Sequence, residues 1–371
     1  MSASLAPSTA SLLTASAGPG SVGQGSVGQG SAGPGFCSGS FLRVLHGAID
    51  IAAGLRPLFR QLLGQGITRL YVIGSGGELL LALPALDLLR RTGGFPAQTC
   101  VADQVLLAPP KALDRNALAV LPALAGDAPE SPALLALLRA RGVTTLALTG
   151  AAGSPLALQA GHARINSATP ETVAESYLLQ MLGLALALLA ETGRIDDCDA
   201  LTEELQRLPA LLVAAKLAYE PLAARRALTL RDEPYHIVTG AGSAWAAAEY
   251  FALRQLEQRL HLRSRPVHAA DFFHGTLELV EPGVSIFLLK GEDAARPLCD
   301  RVERFAYRYT DKLWVLDAAQ VDLPGLSPRL RGLIAPVILV TLLERLCAHL
   351  EALRGAPTRT TNAPATGASK T

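Results

Sequence analysis

Two stretches decide the fold: LYVIGSGGEL at Leu70–Leu79 and HIVTGAGSAW at His236–Trp245. Each is a short apolar run that ends in Gly-x-Gly and passes directly into a helix-forming segment, the pattern of strand, tight turn and helix. Each is followed by a second apolar run ending at a glycine. Gly126 comes 52 residues after Gly74 (126 − 74), and Gly291 comes 51 after Gly240 (291 − 240). Spacings that agree so closely predict a duplicated unit. Strand, turn, helix and strand in that rhythm predict a parallel sheet flanked by helices. The expected fold is therefore α/β, with two tandem three-layer αβα domains.

Working outward, strands are expected at Leu70–Ile73, Thr99–Ala102, Leu118–Leu121 and Thr144–Leu148, then at His236–Thr239, Ser285–Leu289 and Leu313–Asp317. An amphipathic helix over Phe41–Leu63 leads in. Helical stretches over Glu171–Glu191 and Ala200–Leu228 join the halves, a helix over Ala246–Leu260 follows the second glycine loop, and one over Leu330–Leu353 closes the chain. This places the domains at 41–195 and 196–354. Residues 1–36, with GSVGQGSVGQGSAGPG at Gly20–Gly35, and residues 355–371 are Gly-, Ser-, Ala- and Thr-rich tails that cannot offset their ordering entropy by burial.

The chain has 371 residues, half of them apolar, and a formal net charge of +1 with acids and bases interspersed. That suits two domains with a large core and gives no basic stripe for nucleic acid. Five scattered cysteines show no CxxC and no zinc spacing, so reduced thiols and no metal are expected. The apolar segments near Leu182–Leu189 and Ile334–Leu343 read as too short for a bilayer. The long apolar helices near Tyr177–Leu189 and Ile334–Leu343 present faces in excess of what one small sheet covers, hence a dimer. The expectation is a soluble, cytoplasmic protein without a membrane partner.

Gly-rich turns at strand ends expose backbone N–H groups at helix N-termini, where an anion is favoured. Four such turns in duplicated positions point to a small-ligand site at the strand ends. A dinucleotide site fits poorly, because GSGGEL lacks the third glycine of GxGxxG. The other chemistry-bearing stretch is PVHAADFFHGTLELVEPG at Pro266–Gly283, with His268, Asp271 and His274 around the pair Phe272–Phe273. The aromatic pair is expected to shield His274, and the segment to lie opposite the glycine loop of the other half.

On VIGSGGEL, PVHAADFFHGTLELVEPG, GEDAARPL at Gly291–Leu298 and RYTDKLWVLD at Arg308–Asp317, the chain resembles proteins with paired sugar isomerase (SIS) domains. The second half is similar to fructosamine 6-phosphate deglycases of the fructoselysine and fructose-asparagine type. These are relatives of the isomerase half of glucosamine-6-phosphate synthase. The resemblance covers roughly residues 41–354. It implies that His274 is an acid/base, that a glutamate sixteen residues earlier shuttles a proton, and that hydroxyls of the first-half loops hold a phosphate, often in a site shared across a dimer. It implies no cofactor.

The departures from that pattern cluster. The position sixteen before His274 is Gln258, whose amide cannot take a proton from carbon. Glu257 is adjacent but turned by about 100° on an α-helix. The first-half loop Ser75-Gly76-Gly77-Glu78 has a carboxylate where the family has a hydroxyl. In Ala123-Leu124-Ala125-Gly126-Asp127-Ala128-Pro129-Glu130, the three hydroxyl positions are alanines. Gln104 stands for a glutamate, and only Thr358-Arg359-Thr360-Thr361 answers to the family's closing Arg-Tyr segment. The candidate ligand-binding residues are Ser75, Gly76, Gly77, Glu78, Gln104, Gly126, Asp127, Ala128, Ser243 and His268. The expected function is binding of a carbohydrate derivative with deglycase- or isomerase-type activity reduced, altered or absent. The alternative is a non-catalytic subunit that pairs with an active SIS protein, and the expected assembly is a homodimer or such a heteromer.

Overall fold

The computed structural model describes residues 34–355, so the two low-complexity tails lie almost wholly outside the described residues. The chain enters through α1 (Ser38–Ala53) and α2 (Leu55–Gly64). The first sheet unit runs β1 (Arg69–Gly74), α3 (Gly77–Arg91), β2 (Ala97–Val101), α4 (Ala102–Leu107), β3 (Ala117–Ala123), α5 (Ser131–Ala140), β4 (Thr144–Thr149), α6 (Pro155–Gln159) and β5 (His162–Ile165). Three helices follow: α7 (Val173–Glu191), α8 (Cys198–Leu205) and α9 (Leu208–Leu230). The second unit runs β6 (Tyr235–Gly240), α10 (Ser243–Tyr250), a π-helix (Phe251–Arg259), β7 (Arg263–His268), β8 (Ser285–Lys290), α11 (Arg296–Tyr309) and β9 (Leu313–Asp317). The last element is α12 (Pro328–Arg354).

Both sheets are wholly parallel. Their orders are β2-β1-β3-β4-β5 and β7-β6-β8-β9, so the second repeats the first four strands of the first. The expected duplication and fold class are what the structure has. In each sheet the order reverses beside the strand that precedes the Gly-x-Gly loop (β1 and β3, β6 and β8). A ligand crevice opens at such a switch point.

Three expected helices are divided, each for a local reason. The lead-in helix breaks at Gly54, because Pro57 has no N–H to give the Ala53 carbonyl. The stretch from Ala200 breaks before Leu208, because Pro209 cannot donate to Leu205. The helix after the second glycine loop is α-helical only to Tyr250 and continues as nine π-helical residues. Strands β5 and β7 and the short α4 and α6 carry too few periodic residues to be read in advance.

The two units share a core. One apolar cluster takes the inner faces of both sheets and helices α1, α3, α7, α9, α10 and α12, whereas each outer face has a cluster of its own. Helices α7 and α12 are in fact long and apolar enough to cross a membrane, 19 and 27 residues, but 89% of each apolar window is buried inside the fold. The same burial consumes the faces that the sequence reading assigned to a dimer. Between them lies a buried ionic cluster. Lys216, 1% exposed, is 3.4 Å from Glu175 and 3.3 Å from Glu344, and Arg345, fully buried, pairs with Glu220 at 2.8 Å. Such charges tie α7, α9 and α12 in one arrangement, because separating them strands a charge in an apolar interior.

Candidate functional site

The two Gly-x-Gly loops are conformational copies. Gly76 has φ 64° and ψ −130°, and Gly242 has φ 59° and ψ −136°. Only glycine adopts this conformation without strain. In each case the next residue, Gly77 or Ser243, opens a helix with its N–H unused within the helix.

What faces those N–H groups differs between the halves. In the second half the Asp293 carboxylate fills the nest: Oδ2 accepts from Ser243 N–H and from Ser243 Oγ–H, both at 2.6 Å, and Oδ1 accepts from Ala295 N–H at 2.9 Å. A Cβ added at Gly242 would overlap that carboxylate. The site binds an anion, and the anion is its own. Asp293 lies two residues after Gly291, and the residue two after Gly126 is Ala128, so the first half supplies no such carboxylate. There Arg254 and Tyr250 of the second half pack against the side of Gly76 and Gly77 where a Cβ would stand. A Cβ added at Gly76 would lie 3.0 Å from Arg254 Nη1, and one at Gly77 would lie 2.9 Å from both Arg254 Nε and Tyr250 Cε2.

The first-half crevice, about 290 Å3, lies at the ends of β1 and β3. Its wall includes Gly74, Ser75, Glu78, Ala123, Ala125, Gly126, Asp127, Ala128, Glu130 and Ser131. Three carboxylates line it and no lysine or arginine does. Ser75 Oγ is turned to Glu130 Oε1 at 3.4 Å. The hydroxyls closest to Gly126 are committed elsewhere: Thr149 Oγ1 donates to the Leu124 carbonyl, and Ser154 Oγ caps α6 at Ala157 N–H.

A larger cleft, about 520 Å3, opens between the units and is lined by residues of α3, α7, α10 and α12 with Ser243, Trp245, His268, Glu292 and Asp293. Glu292 is held by Arg331 at 3.0 and 2.8 Å. The His268 ring stands edge-on to Trp245, centroids 5.3 Å apart, and its Nδ1 accepts from Ala270 N–H. His268 thus meets the glycine loop of its own half.

The catalytic candidates are not brought together. His274 is exposed, outside both clefts, and unshielded: Phe272 is buried and Phe273 half-buried against Phe305. Glu257 is exposed, with Oε1 accepting from Ser264 N–H at 3.3 Å and Ser264 Oγ–H at 3.1 Å, which ties the π-helix to β7. Gln258 is exposed beside it, and Gln104 is exposed on α4, off the crevice wall. No group of three or more potential metal ligands occurs among the described residues. The sequence reading missed Asp293, Arg254 and Tyr250. Asp293 was accessible by aligning the halves. Arg254 was not, because it reaches the first-half loop only through a contact between the two halves of the chain.

Residues 65–190 match the SIS domain family. The chain is 25% identical over 308 residues to the fructosamine deglycase of Bacillus subtilis, covering 82% of this chain and 93% of that protein. It is 24% identical over 296 residues to the fructoselysine 6-phosphate deglycase of Escherichia coli, covering 80% and 85%. The agropine synthesis conjugase of Rhizobium rhizogenes is 27% identical over 238 residues, 62% of this chain and 66% of that one. Among solved structures, a Salmonella typhimurium protein described as a phosphosugar isomerase matches with TM-score 0.76 at 25% identity over 85% of this chain and 95% of that one. Residues 65–190 are thus similar to a SIS domain, and the chain as a whole is similar to the fructosamine-type deglycases and to the isomerizing glutamine–fructose-6-phosphate aminotransferase of Symbiobacterium thermophilum, of whose length it covers 54%.

Proposed function

We propose that the crevice at the ends of β1 and β3 takes a sugar–amine adduct of the fructosamine class, recognised by its amine and not by a phosphate. One observation carries this reading: Glu78, Asp127 and Glu130 line a crevice whose hydroxyl positions are Ala123, Ala125 and Ala128. At about 5 Å each carboxylate–charge pair is worth on the order of 1–3 kcal/mol in a partly solvated site. An ammonium gains that from the cluster, and a phosphate dianion loses it more than once. One relative, the agropine synthesis conjugase, is named for a conjugate and not for a sugar phosphate.

Turnover by the relatives' proton shuttle is reduced or absent. Gln258 cannot act as a base, Glu257 is engaged by Ser264, and His274 is outside both clefts. The purified protein is expected to release no amine from fructosamine 6-phosphates at rates approaching those of its relatives. Robust release in a coupled assay overturns the altered-site reading.

The exposure of His274 supports a second element. In a pair, with itself or with a related SIS protein, this histidine would meet the partner's crevice and not its own. Native mass spectrometry of the protein alone and after co-expression with SIS proteins tests this, and a strictly monomeric species in both removes it.

A further inference from the structure

We propose that the cleft between the two units is a second binding site, separate from the acidic crevice, and that it takes an uncharged aromatic molecule with an amide-like polar edge. The inference does not rest on the sugar–amine reading.

The duplication decides what this cleft excludes. It lies at the ends of β6 and β8, the switch point that corresponds to the first-half crevice, and Gly242, Ser243, Glu292 and Asp293 line it. A ligand anion there would have to displace Asp293, which already accepts from Ser243 N–H and Oγ–H. The other charges of the wall are matched within the protein as well. Glu292 is held by Arg331 at 3.0 and 2.8 Å. Asp87 meets Arg91 at 2.5 Å and Arg90 at 3.5 Å, and Arg329 meets Asp197 at 2.9 Å. Four guanidiniums thus answer four carboxylates. A charged ligand would give up its hydration and find no free counter-charge, whereas an uncharged one meets no such penalty. The first-half crevice is the opposite case, with three carboxylates and no cation on its wall.

The rest of the cleft is apolar. Its volume of about 520 Å3 falls within the range of small-molecule sites, roughly 300–1,000 Å3. Leu81, Pro84 and Leu88 of α3, Leu178 of α7, and Leu333 and Val337 of α12 supply aliphatic surface, and Trp245 supplies an indole. A flat ring packs against an indole in offset or edge-on geometry and gains more from it than an aliphatic chain does.

Three polar groups interrupt that apolar wall. His268 Nδ1 accepts from Ala270 N–H at 3.2 Å, so in the neutral ring the proton sits on Nε2. Neither His268 Nε2–H nor the Trp245 indole N–H donates to any group among the described residues, and both side chains line the cleft. Pro336, inside α12, has no N–H and so deprives the Gly332 carbonyl of its helical donor. Gly332 and Pro336 line the cleft too. Two donors and one acceptor on an apolar wall suit an amide, whose oxygen accepts and whose N–H donates.

The test uses two flat, nearly isosteric probes, 2-naphthamide and 2-naphthoate, titrated calorimetrically into the full chain at neutral pH. The wild type is expected to bind one equivalent of the amide, roughly tenfold or more tighter than the carboxylate. Glu292→Gln keeps the shape and leaves Arg331 without its anion. It should raise affinity for naphthoate roughly tenfold and leave that for the amide unchanged, a gain that misfolding cannot give. Gly332→Leu fills the cleft from α12, where a Cβ would stand 3.5 Å from the Glu292 carbonyl, an ordinary contact. It should abolish amide binding while the chain still unfolds cooperatively. Naphthoate bound by the wild type as tightly as the amide overturns the assignment of an uncharged ligand. Amide binding that is absent from the wild type, or that survives Gly332→Leu, overturns the site. A wild-type dimer that sediments as a monomer in Gly332→Leu assigns the cleft to a second copy of the chain and overturns it as well.

Discussion

Removing the internal anion of the second half tests whether these glycine loops are anion sites at all. Asp293→Ala deletes three accepted hydrogen bonds, two at 2.6 Å from Ser243 and one at 2.9 Å from Ala295 N–H. Hydrogen bonds to a charged group contribute about 1.5–3 kcal/mol each, but they share one half-buried carboxylate and are not additive, so the loss is about 3 kcal/mol. An unfolding entropy of about 2 cal/mol/K per residue over about 320 residues converts that to a fall in Tm of roughly 4–5 °C. The vacated nest should then accept inorganic phosphate. At ten times its Kd, phosphate returns about 1.4 kcal/mol, or roughly 2 °C. The assay is thermal unfolding of wild type and variant in chloride and in phosphate at equal ionic strength. Phosphate should raise the variant's Tm and leave the wild type's second-half nest, already filled, without response. A variant as stable as wild type, or one no more responsive to phosphate than wild type, refutes the assignment of Asp293 as a built-in anion.

Lys216→Met leaves Glu175 without its cation and should cost about 3 kcal/mol in urea unfolding at pH 7. Part of that returns as pH falls and Glu175, whose pKa burial already raises, takes up a proton; equal losses at pH 7 and pH 5 would contradict this. His236 is fully buried and burial lowers its pKa from 6.5 to about 4. Below pH 6.5 the unfolded chain therefore gains a proton that the folded one refuses until about pH 4, and stability falls with falling pH through that window. Between pH 7 and pH 5 this amounts to about 2 kcal/mol at about 1.4 per unit, a slope that His236→Leu should flatten. Gly183→Ala should destabilise by about 1–3 kcal/mol, since the new Cβ would overlap Ala52 Cβ where α7 crosses α1; an unchanged midpoint would mean the helices are free to part.

The duplication was legible because it is written twice, in β-rich runs that end at Gly74 and Gly240 and again at Gly126 and Gly291. Part of the crevice wall was legible for a similar reason, since Ser75, Glu78, Gly126, Asp127 and Ala128 sit in loop positions the resemblance marks, whereas Glu130 as a third carboxylate beside them was not singled out. What could not be read depends on tertiary geometry. Arg254 is four residues before Gln258, and only the packing of α3 against the helix that follows the second glycine loop brings it to Gly76. His274 illustrates the converse. Its sequence neighbours Phe272 and Phe273 turn inward onto Phe305, which leaves the histidine outside. The apolar faces of α7 and α12 looked like surface for a partner and are instead covered by α1, α9 and α10.

The most direct test of the account is a calorimetric comparison of N-(1-deoxyfructosyl)glycine with the same compound carrying a 6-phosphate. With three carboxylates in the crevice and alanines at its hydroxyl positions, the unphosphorylated adduct should bind at least tenfold more tightly. Tighter binding of the 6-phosphate would contradict the central claim.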